Sequence, residues 1–254
     1  MNDPYVARRA AFRALHAKGC FILPNPWDAG SATRLAGLGF KALASSSSAA
    51  ALALGKTDHL ITLEEVLAHL RMLVAATDLP ANADFENGFA DAPEAVAANV
   101  SRAIETGIAG LSIEDQSGPA LYPLDLAVAR IAAARAAIDA SGKDVILVAR
   151  CEAYLLGEAD PAVTLARLVA FASAGADCLF APGITDLGDI AAMVRALAPK
   201  PINVLIMNPE MTVADLASAG VRRVSVGGAL AAAAWRGFDR AAAALAEQQV
   251  DLQN

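Results

Sequence analysis

Acidic residues end two short apolar runs in the middle of the chain. Asp84 and Glu86 close one run, and Glu114 closes the next run, one helix-sized segment later. A carboxylate at the end of a buried strand is costly unless a cation meets it. Carboxylate oxygens are also ligands that Mg²⁺ accepts together with water and substrate oxygens. Asp84, Glu86 and Glu114 are therefore the candidate ligands of a divalent metal, with Mg²⁺ as the expected ion and Mn²⁺ as its alternative.

A structural role is the alternative for each of these carboxylates. Each could cap the helix that follows it or pair with Arg150, which ends another apolar run. The guanidinium of Arg150 can itself hold a substrate carboxylate or phosphonate bidentately. Its alternative role is charge balance for Glu114 or Glu152.

Serines and a polar loop follow the second apolar run. Ser45, Ser46 and Ser47 offer N–H groups and hydroxyls to an anion, although a serine run is also typical of a flexible loop. The loop that follows has the composition of a lid that excludes water from a bound substrate. Within this loop Asp58 is the candidate acid or base and Lys56 is a second candidate, although a charge on an exposed loop more often has no catalytic role.

Three further residues complete the substrate-binding candidates. Trp27 and Asp28 follow the first apolar run, where they would wall a pocket, although core packing and helix capping are their ordinary roles. Asn203 belongs to the polar residues of the seventh run. We expect no histidine in the metal site, because the chain shows no ligand spacing among its three histidines, His16, His59 and His69.

The elements that would position these residues alternate along the chain. Short apolar runs are typical of strands buried on both faces. Helix-like segments with start and stop signals lie between them, such as Asp91-Ala-Pro-Glu94 before one helix and Gly107 after it. The runs are Cys20–Leu23, Ala42–Ala44, Ala81–Phe85, Gly110–Ile113, Val145–Ala149, Cys178–Ala181, Ile202–Ile206 and Val224–Val226.

Strand–helix units of this number in 254 residues indicate the α/β class and match a (β/α)₈ TIM barrel with an N-terminal helix. We predict one domain over residues 1–254, with the N-terminal helix within residues 1–19 and the last helix over 229–249. An open doubly wound sheet is the alternative, but the segment after the first run lacks the G-x-G-x-x-G turn that such a sheet uses for phosphate. In a barrel, active-site residues lie at the carboxyl ends of the strands, and most of the unusual polar residues fall there.

The composition argues against several kinds of partner. A net charge of -7 without a basic patch disfavours nucleic acid. No apolar run approaches the roughly 18 residues of a membrane helix, and the N terminus lacks a signal-peptide pattern, so we expect a soluble, cytoplasmic protein. The three scattered cysteines are expected to be reduced, buried thiols.

Several phrases of the sequence form a larger pattern between about residues 20 and 235. They are Pro24-Asn-Pro-Trp-Asp-Ala-Gly-Ser31, Ala44-Ser-Ser-Ser47, Leu54-Gly-Lys-Thr-Asp58, Asn82-Ala-Asp-Phe-Glu-Asn-Gly88, Ser112-Ile-Glu-Asp-Gln116, Val148-Ala-Arg150 and Val224-Ser-Val-Gly-Gly-Ala229. In content and order they resemble the isocitrate lyase and phosphoenolpyruvate mutase superfamily. The resemblance implies a (β/α)₈ barrel that uses Mg²⁺ to bind a 2-oxo acid or its enolate, and that cleaves or rearranges a C–C or C–P bond.

The resemblance also implies roles for individual residues. Asp84 would be the direct metal ligand, while Glu86 and Glu114 would reach the metal mostly through water. Asp58 would lie on the gating loop. The substrate carboxylate would be held by Arg150 and by the backbone of the serine run, Ser45, Ser46 and Ser47.

The sequence departs from this pattern after the fourth run. Isocitrate and methylisocitrate lyases carry a Lys-x-Cys-Gly loop whose cysteine is the general acid, and the phosphonate enzymes carry Lys with Asn or Thr there. This chain reads Gln116-Ser-Gly-Pro-Ala-Leu-Tyr-Pro123, in which Tyr122 is a spare acid candidate. We therefore expect a simpler reaction, in which a Mg²⁺-dependent lyase or decarboxylase cleaves a C–C bond of a small 2-oxo or 2-hydroxy dicarboxylate, such as oxaloacetate, through an enolate.

Two alternatives remain for the function. One is C–P chemistry by a phosphonomutase or phosphonopyruvate hydrolase, and the other is a barrel that binds a 2-oxo acid without turnover. The expected partners are a small-molecule carboxylate substrate and further copies of the chain in a dimer or tetramer, with neither nucleic acid nor membrane. Members of the superfamily usually exchange their last helix between subunits, whereas here only one long Ala-rich helix follows Gly228, so we expect assembly without carrying over the exchange.

Overall fold

The computed structural model describes residues 3–158 and 160–247, in which eight parallel strands alternate with helices. Every strand overlaps the apolar run predicted for it and extends beyond that run by at most one residue. The strands are β1 (Phe21–Leu23), β2 (Leu43–Ala44), β3 (Ala81–Asp84), β4 (Gly110–Glu114), β5 (Ile146–Arg150), β6 (Cys178–Phe180), β7 (Ile202–Leu205) and β8 (Arg223–Ser225).

The strands form a nearly closed barrel. Their order in the sheet is β1-β8-β7-β6-β5-β4-β3-β2, with parallel ladders between all neighbours in that order. At the remaining junction, between β1 and β2, the N–H of Ala44 donates to the carbonyl oxygen of Pro24 at 3.0 Å. This architecture confirms the predicted α/β class and (β/α)₈ TIM barrel and excludes the doubly wound alternative.

Helices cover the barrel and its amino end. The predicted N-terminal helix is present as α1, whereas residues 248 and 249 of the predicted last helix lie outside the described residues, and the single domain over 1–254 stays a prediction. The helices are α1 (Val6–Ala17), α2 (Ala29–Gly37), α3 (Ser47–Ala53), α4 (Leu63–Ala76), α5 (Pro93–Ile104), α6 (Leu124–Ser141), α7 (Pro161–Ser173), α8 (Leu187–Leu197), α9 (Val213–Ser218) and α10 (Ala229–Ala246).

The start signals of the helices act largely as their residue types predict. Asp160 caps α7 by accepting hydrogen bonds from the N–H groups of Ala162 and Val163. At α5 the outcome differs, because no side chain caps the helix and Asp91 instead accepts a hydrogen bond from the hydroxyl of Tyr122. Proline at the first position fixes the start of α5 without a capping side chain.

The amino end of the barrel is closed by a side chain of α1. Phe12 is completely buried and packs with the apolar residues that face the barrel interior. A Cβ on Gly110 would lie 2.7 Å from the Phe12 ring and 2.8 Å from Oδ1 of Asn82, so only glycine fits at the start of β4. The interior is therefore sealed at this end, and its cavity opens at the carboxyl ends of the strands.

Within the described residues, no helix has both the length and the apolar character needed to cross a membrane.

Candidate active site

A cavity of about 340 Å³ lies at the carboxyl ends of the barrel strands. Its lining includes the last residues of β3, β4 and β5, which are Asp84, Glu114 and Arg150. A second cavity of about 450 Å³ adjoins it and is lined by Glu86. His59, Glu114 and Gln116 border both cavities, which are therefore neighbours. The fold thus brings together the carboxylates that the sequence places on separate strands.

Arg150 is the hub of an ion-pair network in this region. Its Nη1 lies 2.7 Å from Oδ1 of Asp84, its Nη2 lies 3.3 Å from Oε2 of Glu114, and its Nε donates to Oε1 of Glu152 at 2.8 Å. Burial opposes the positive charge, but the three carboxylates outweigh it and raise the pKa of Arg150. Pairing with Arg150, the structural alternative considered for Asp84 and Glu114, is therefore present alongside their position at the cavity.

The serine run orients Asp84. The N–H and hydroxyl of Ser47 both donate to Oδ2 of Asp84 at 2.9 Å, and the Asp84 N–H donates to Oγ of Ser45 at 2.8 Å. The Ser45 N–H donates to the carbonyl oxygen of Asn82. Among the three serines, Ser46 is thus the one whose N–H has no protein acceptor within the described part of the chain. All three line the cavity, but their amides are not equally available to a substrate.

Glu86 occupies an unfavourable position beyond β3. Its φ of 43° lies in the left-handed region that non-glycine residues seldom adopt, and its side chain is buried. Oε1 is buried without a hydrogen-bond partner among the described residues. Burial, followed by the charges of Asp84 and Asp58, raises the pKa of Glu86 to about 8.

Asp58 and His59 extend from the loop after α3 toward the acidic residues. Nδ1 of His59 lies 3.7 Å from Oε2 of Glu86 and 3.9 Å from Oε1 of Glu114. One ligand atom from each of Asp58, His59 and Glu86 fits within a mutual distance of 4.8 Å. The expectation that no histidine belongs to the metal site stays a prediction, and the proximity of His59 to two strand ends is a feature that linear spacing does not show.

A structural ion pair occupies Lys56, the second candidate on this loop. Its Nζ contacts both carboxylate oxygens of Glu65 at 2.6 and 2.7 Å. Glu65 in turn completes the capping box of α4 with Thr62. Lys56 thus ties the loop to α4, and Asp58, which lines the cavity, is the candidate acid or base of the two.

The donor set fits a hard divalent cation. We call Asp58, Asp84, Glu86 and Glu114 the acidic mouth of the cavity. Burial raises the pKa of Glu114, against the opposing effect of Arg150, as it raises the pKa of Glu86. Several carboxylates surround one guanidinium, and one buried carboxylate oxygen has no hydrogen-bond donor among the described residues. Mg²⁺ or Mn²⁺ would satisfy such a set. A possible acidic metal site is therefore present.

The chain after β4 forms a short hairpin held at both ends. Gln116–Ser117 pairs antiparallel with Ala120–Leu121. Nε of Arg167 donates to Asp115 at 2.6 Å, and its Nη2 donates to the carbonyl oxygen of Tyr122 at 2.8 Å. The Tyr122 hydroxyl donates a hydrogen bond to Oδ1 of Asp91 and accepts one from Nδ2 of Asn87. Within the described part of the chain, Tyr122 lines neither cavity. Its proposed role as a spare acid is not supported by this position.

Trp27 and Asp28 lie outside the lining of both cavities in the described residues. Asp28 is exposed and caps α2 in a reciprocal capping box with Ser31. The carbonyl oxygen of Trp27 lies 3.0 Å from Nε2 of His69 on α4. Their positions match the ordinary roles of capping and packing, and the prediction that they contact substrate gains no support.

Asn203 lines the deeper part of the cavity together with a residue that sequence reasoning missed. Oδ1 of Asn203 accepts a hydrogen bond from Nε of Arg223 at 2.8 Å, and Nη1 of Arg223 lies 3.3 Å from Oδ1 of Asn82. These three residues lie nearer the amino ends of their strands than Asp84 does, and we call them the polar floor. The pair Arg222-Arg223 directly before the last apolar run was the available signal, since arginine is seldom placed in a buried strand.

Comparisons with known proteins agree on one superfamily. The family described as phosphoenolpyruvate phosphomutase matches residues 12–246. A crystal structure from Burkholderia cenocepacia J2315, provisionally described as a lyase/mutase, is 47% identical with a TM-score of 0.94, covering 98% of this chain and 91% of that chain. An oxaloacetate decarboxylase from Chromohalobacter salexigens is 34% identical over 236 residues, covering 85% of this chain and 77% of its own. Oxaloacetate acetylhydrolase, solved with its product oxalate, is 27% identical with a TM-score of 0.90, covering 98% of this chain and 90% of its own.

Proposed function

Because this chain belongs to the phosphoenolpyruvate phosphomutase family, within the isocitrate lyase and phosphoenolpyruvate mutase superfamily, we propose that it is a Mg²⁺-dependent lyase or decarboxylase. Its substrate is a small 2-oxo or 2-hydroxy dicarboxylate resembling oxaloacetate, and the bond that breaks is a C–C bond. The observation that carries this proposal is the meeting of Asp84, Glu114 and Arg150 at one cavity. The relatives named for decarboxylation of oxaloacetate and for its cleavage to oxalate support it.

Asp84 is the proposed direct metal ligand, with Glu86 and Glu114 acting mostly through water. Ser47 fixes the orientation of Asp84, which leaves its carboxylate preorganised for a cation. When bound, Mg²⁺ supplies positive charge that stabilises the negative charge developing on the 2-oxo oxygen as the adjacent bond breaks.

Arg150 and Ser46 are the proposed contacts of the substrate carboxylate next to the 2-oxo group. Arg150 offers charge-assisted hydrogen bonds, and the Ser46 N–H is the amide of the run without a protein acceptor among the described residues. Asp58, on the loop over the cavity, is the proposed acid or base and contributes to the exclusion of water.

Loss of CO₂ makes fewer demands on the protein than the other reactions of the superfamily. The hairpin after β4 carries no Cys, Lys or His between Gln116 and Pro123. Gln116 is its polar side chain at the cavity, and this group donates to the carbonyl oxygen of Gly118 at 2.7 Å. A reaction without a loop acid is compatible with this hairpin, whereas protonation of the succinate-type carbanion that isocitrate cleavage releases, or a grip on a phosphonyl group, requires residues that the hairpin lacks.

A panel of substrates tests the proposal. The protein is incubated with Mg²⁺ and, separately, with oxaloacetate, alkylmalates, methylisocitrate and phosphonopyruvate, while pyruvate and phosphate are followed. Oxaloacetate needs a blank of Mg²⁺ alone, since it decays without enzyme. Pyruvate formation from oxaloacetate or an alkylmalate well above the blank is the expected result. Phosphate release from phosphonopyruvate would instead support C–P chemistry, and tight oxalate binding without any turnover would support a binding protein.

We also propose that the chain forms a homo-oligomer, a dimer or tetramer, through α10. Ala231 is the buried residue of this helix, while Trp235 and Phe238 remain exposed and stack edge to face at 5.8 Å. Exposed aromatic residues of this kind are typical of subunit interfaces. Light scattering of the protein and of Phe238→Lys tests this, with a lower mass expected for the variant; a monomeric starting protein would contradict it.

A further inference from the structure

The interior of this barrel is unusually polar beneath the acidic mouth. Barrels of this fold commonly fill their interior with layers of bulky aliphatic side chains. Here the polar floor, Asn82, Asn203 and Arg223, lines the same cavity as Asp84, and it is accompanied by Ser112 of β4 and Ser225 of β8. All of these floor residues are buried, with relative exposures of only 1–2% for Asn82, Asn203 and Arg223.

Neutral amides hold the guanidinium of Arg223. Asn203 and Arg223 are register partners on β7 and β8, and their side chains meet at 2.8 Å. Asn203 is itself oriented, because its Nδ2 donates to Oγ of Ser225 at 3.1 Å. Asn82 accepts from Nη1 of Arg223 at 3.3 Å, and its own Nδ2 donates to the carbonyl oxygen of Ala83. These contacts fix the plane of the guanidinium, and its remaining N–H groups have no acceptor in the part of the chain that the structure describes.

No carboxylate offsets the charge of Arg223 within residues 3–158 and 160–247. By contrast, the buried Arg167 pairs with Asp115 and the buried Arg9 with Asp3. Buried Arg130 also has no carboxylate partner among the described residues, but it lies over the Tyr122 ring and, unlike Arg223, lines neither cavity. Burying a cation without an anion is costly, and amide oxygens offset only part of that cost.

The ionisable neighbours of Arg223 do not supply the missing negative charge. Burial raises the pKa of the Cys178 thiol, which favours its neutral form. Burial, followed by the charge of Arg223, lowers the pKa of His16 to about 3, so this ring is neutral as well. Arg150 is a like charge whose own carboxylates are already engaged with it. The floor therefore combines a preorganised donor group with an uncompensated positive charge at the cavity.

We propose that the polar floor is a carboxylate-binding subsite, in which Arg223 receives the second carboxylate of the dicarboxylate substrate. The proposal rests on the proposed function, since it assigns the second acidic group of that same substrate. The 2-oxo acid end occupies the acidic mouth, and the other end points into the barrel. Arg223 thereby selects a dicarboxylate over a monocarboxylate of the same length, because a ligand without the second carboxylate leaves the buried guanidinium without an anion.

Malate and 2-hydroxybutyrate form a matched pair for testing this selection. Both have four carbons and a 2-hydroxy acid end, and they differ in whether the other end is a carboxylate or a methyl group. Calorimetry with Mg²⁺ present should show that the protein binds malate at least about tenfold more tightly, as expected for a charge-assisted contact. Arg223→Gln should weaken malate binding to the level of 2-hydroxybutyrate and leave binding of 2-hydroxybutyrate unchanged.

Arg222→Gln is the matched control, because Arg222 precedes Arg223 and donates to the carbonyl oxygen of Gly19, away from the cavity. It should keep the preference for malate. If Arg223→Gln does not fold, Arg223→Met removes the charge with an apolar side chain suited to a buried site, and the preference for malate should likewise be lost. Equal affinities of the two acids in the unmodified protein, or a preference that survives in the folded Arg223 variant, would overturn the proposal.

A second measurement separates the substrate carboxylate from a free small anion, and separates this proposal from the proposed function. The melting temperature is followed with formate in the presence of a chelator, at constant ionic strength. Suppose that formate raises the melting temperature only when Arg223 is present, and that malate and 2-hydroxybutyrate bind with equal affinity. This result would overturn the proposal in favour of a site for a free small anion. If no panel substrate is turned over but the Arg223-dependent preference for malate is observed, the subsite stands and the lyase function fails.

Discussion

The acidic mouth and the polar floor belong to one cavity but carry opposite charge. At the mouth, carboxylates outnumber the single guanidinium of Arg150, and the pKa of Glu86 and of Glu114 is raised. At the floor, Arg223 has two amide partners and no carboxylate among the described residues. The mouth is thus suited to a cation and the floor to an anion. A substrate that chelates a metal at one end and carries a second negative charge at the other end would meet both needs.

The largest expected effect comes from removing the proposed metal ligand at the mouth. Asp84→Asn keeps the size of the side chain but removes its negative charge. It preserves the contacts with Ser47 and Arg150 only in part. We expect Mg²⁺ affinity to fall by about 100-fold or more, measured by calorimetry with oxalate present. Glu94→Gln, an exposed acid in the first turn of α5, is the charge-matched control and should bind Mg²⁺ as the unmodified protein does. Equal affinity in the Asp84 variant would remove Asp84 from the metal site.

Loss of the cation at the mouth is the next largest effect. Arg150→Gln leaves Asp84, Glu114 and Glu152 without their shared partner, and breaking such a buried pair typically costs about 3–5 kcal/mol of unfolding free energy. Mg²⁺ should restore more stability to this variant than to the unmodified protein, because it supplies positive charge at the same place. Denaturant unfolding with and without Mg²⁺ measures both quantities. An equal gain from Mg²⁺ in the two proteins would show that the ion binds elsewhere.

A moderate effect is expected from pH, and it distinguishes the mouth from the floor. The pKa of Glu86 rises from 4.5 to about 8 on folding, so between these values the folded state holds the additional proton. In the absence of metal, the contribution of Glu86 to the free energy of unfolding should therefore be greatest below pH 4.5 and should fall as pH rises toward 8. Glu114 and Glu152 act in the same direction, since their pKa values are raised as well.

Melting temperatures between pH 6 and pH 8.5, in the presence of a chelator, check this sign. Glu86→Gln should show a shallower decline than the unmodified protein, and Mg²⁺ should flatten the decline because it favours the charged carboxylate. Stability that rises with pH over this range would contradict the account of the mouth.

The smallest effect is expected at the rim of the cavity. Lys56 and Glu65 are each about one-third exposed, so their ion pair is screened by solvent. Lys56→Met should change KM by less than about threefold and leave kcat unchanged, since the residue ties the loop and does not act as acid or base. A large fall in kcat, together with a shifted pH profile, would return Lys56 to the list of catalytic candidates.

Sequence patterns predicted the barrel and the acidic mouth for one physical reason. Strands buried on both faces appear as continuous apolar runs, and the residue that ends each run faces the same end of the barrel. Asp84, Glu114 and Arg150 could therefore be grouped from the sequence alone. Their separate partners, such as Ser47 for Asp84, depend on side-chain geometry that the spacing does not encode.

The floor and the loop were less accessible to such reasoning. Arg223 begins β8 but precedes the apolar run predicted for it, so it was not assigned to the site, and Asn203 was named as a candidate without this partner. His59 lies on a loop, and its approach to Glu86 depends on how α3 and α4 hold that loop over the barrel. Trp27 and Asp28 show the opposite case, since residues next to a strand end were expected to face the cavity, and the capping of α2 by Asp28 gives that expectation no support.

Metal-dependent turnover tests the central claim most directly. Once the substrate panel has identified the best substrate, its initial rate is measured for the unmodified protein and for Asp84→Asn, each with Mg²⁺ and with excess chelator. We predict that the unmodified protein with Mg²⁺ exceeds the blank by a wide margin, and that chelator or the Asp84 substitution returns the rate to the blank. An unchanged rate in excess chelator, or an active Asp84→Asn protein, would contradict the claim that the acidic mouth holds a metal required for bond cleavage.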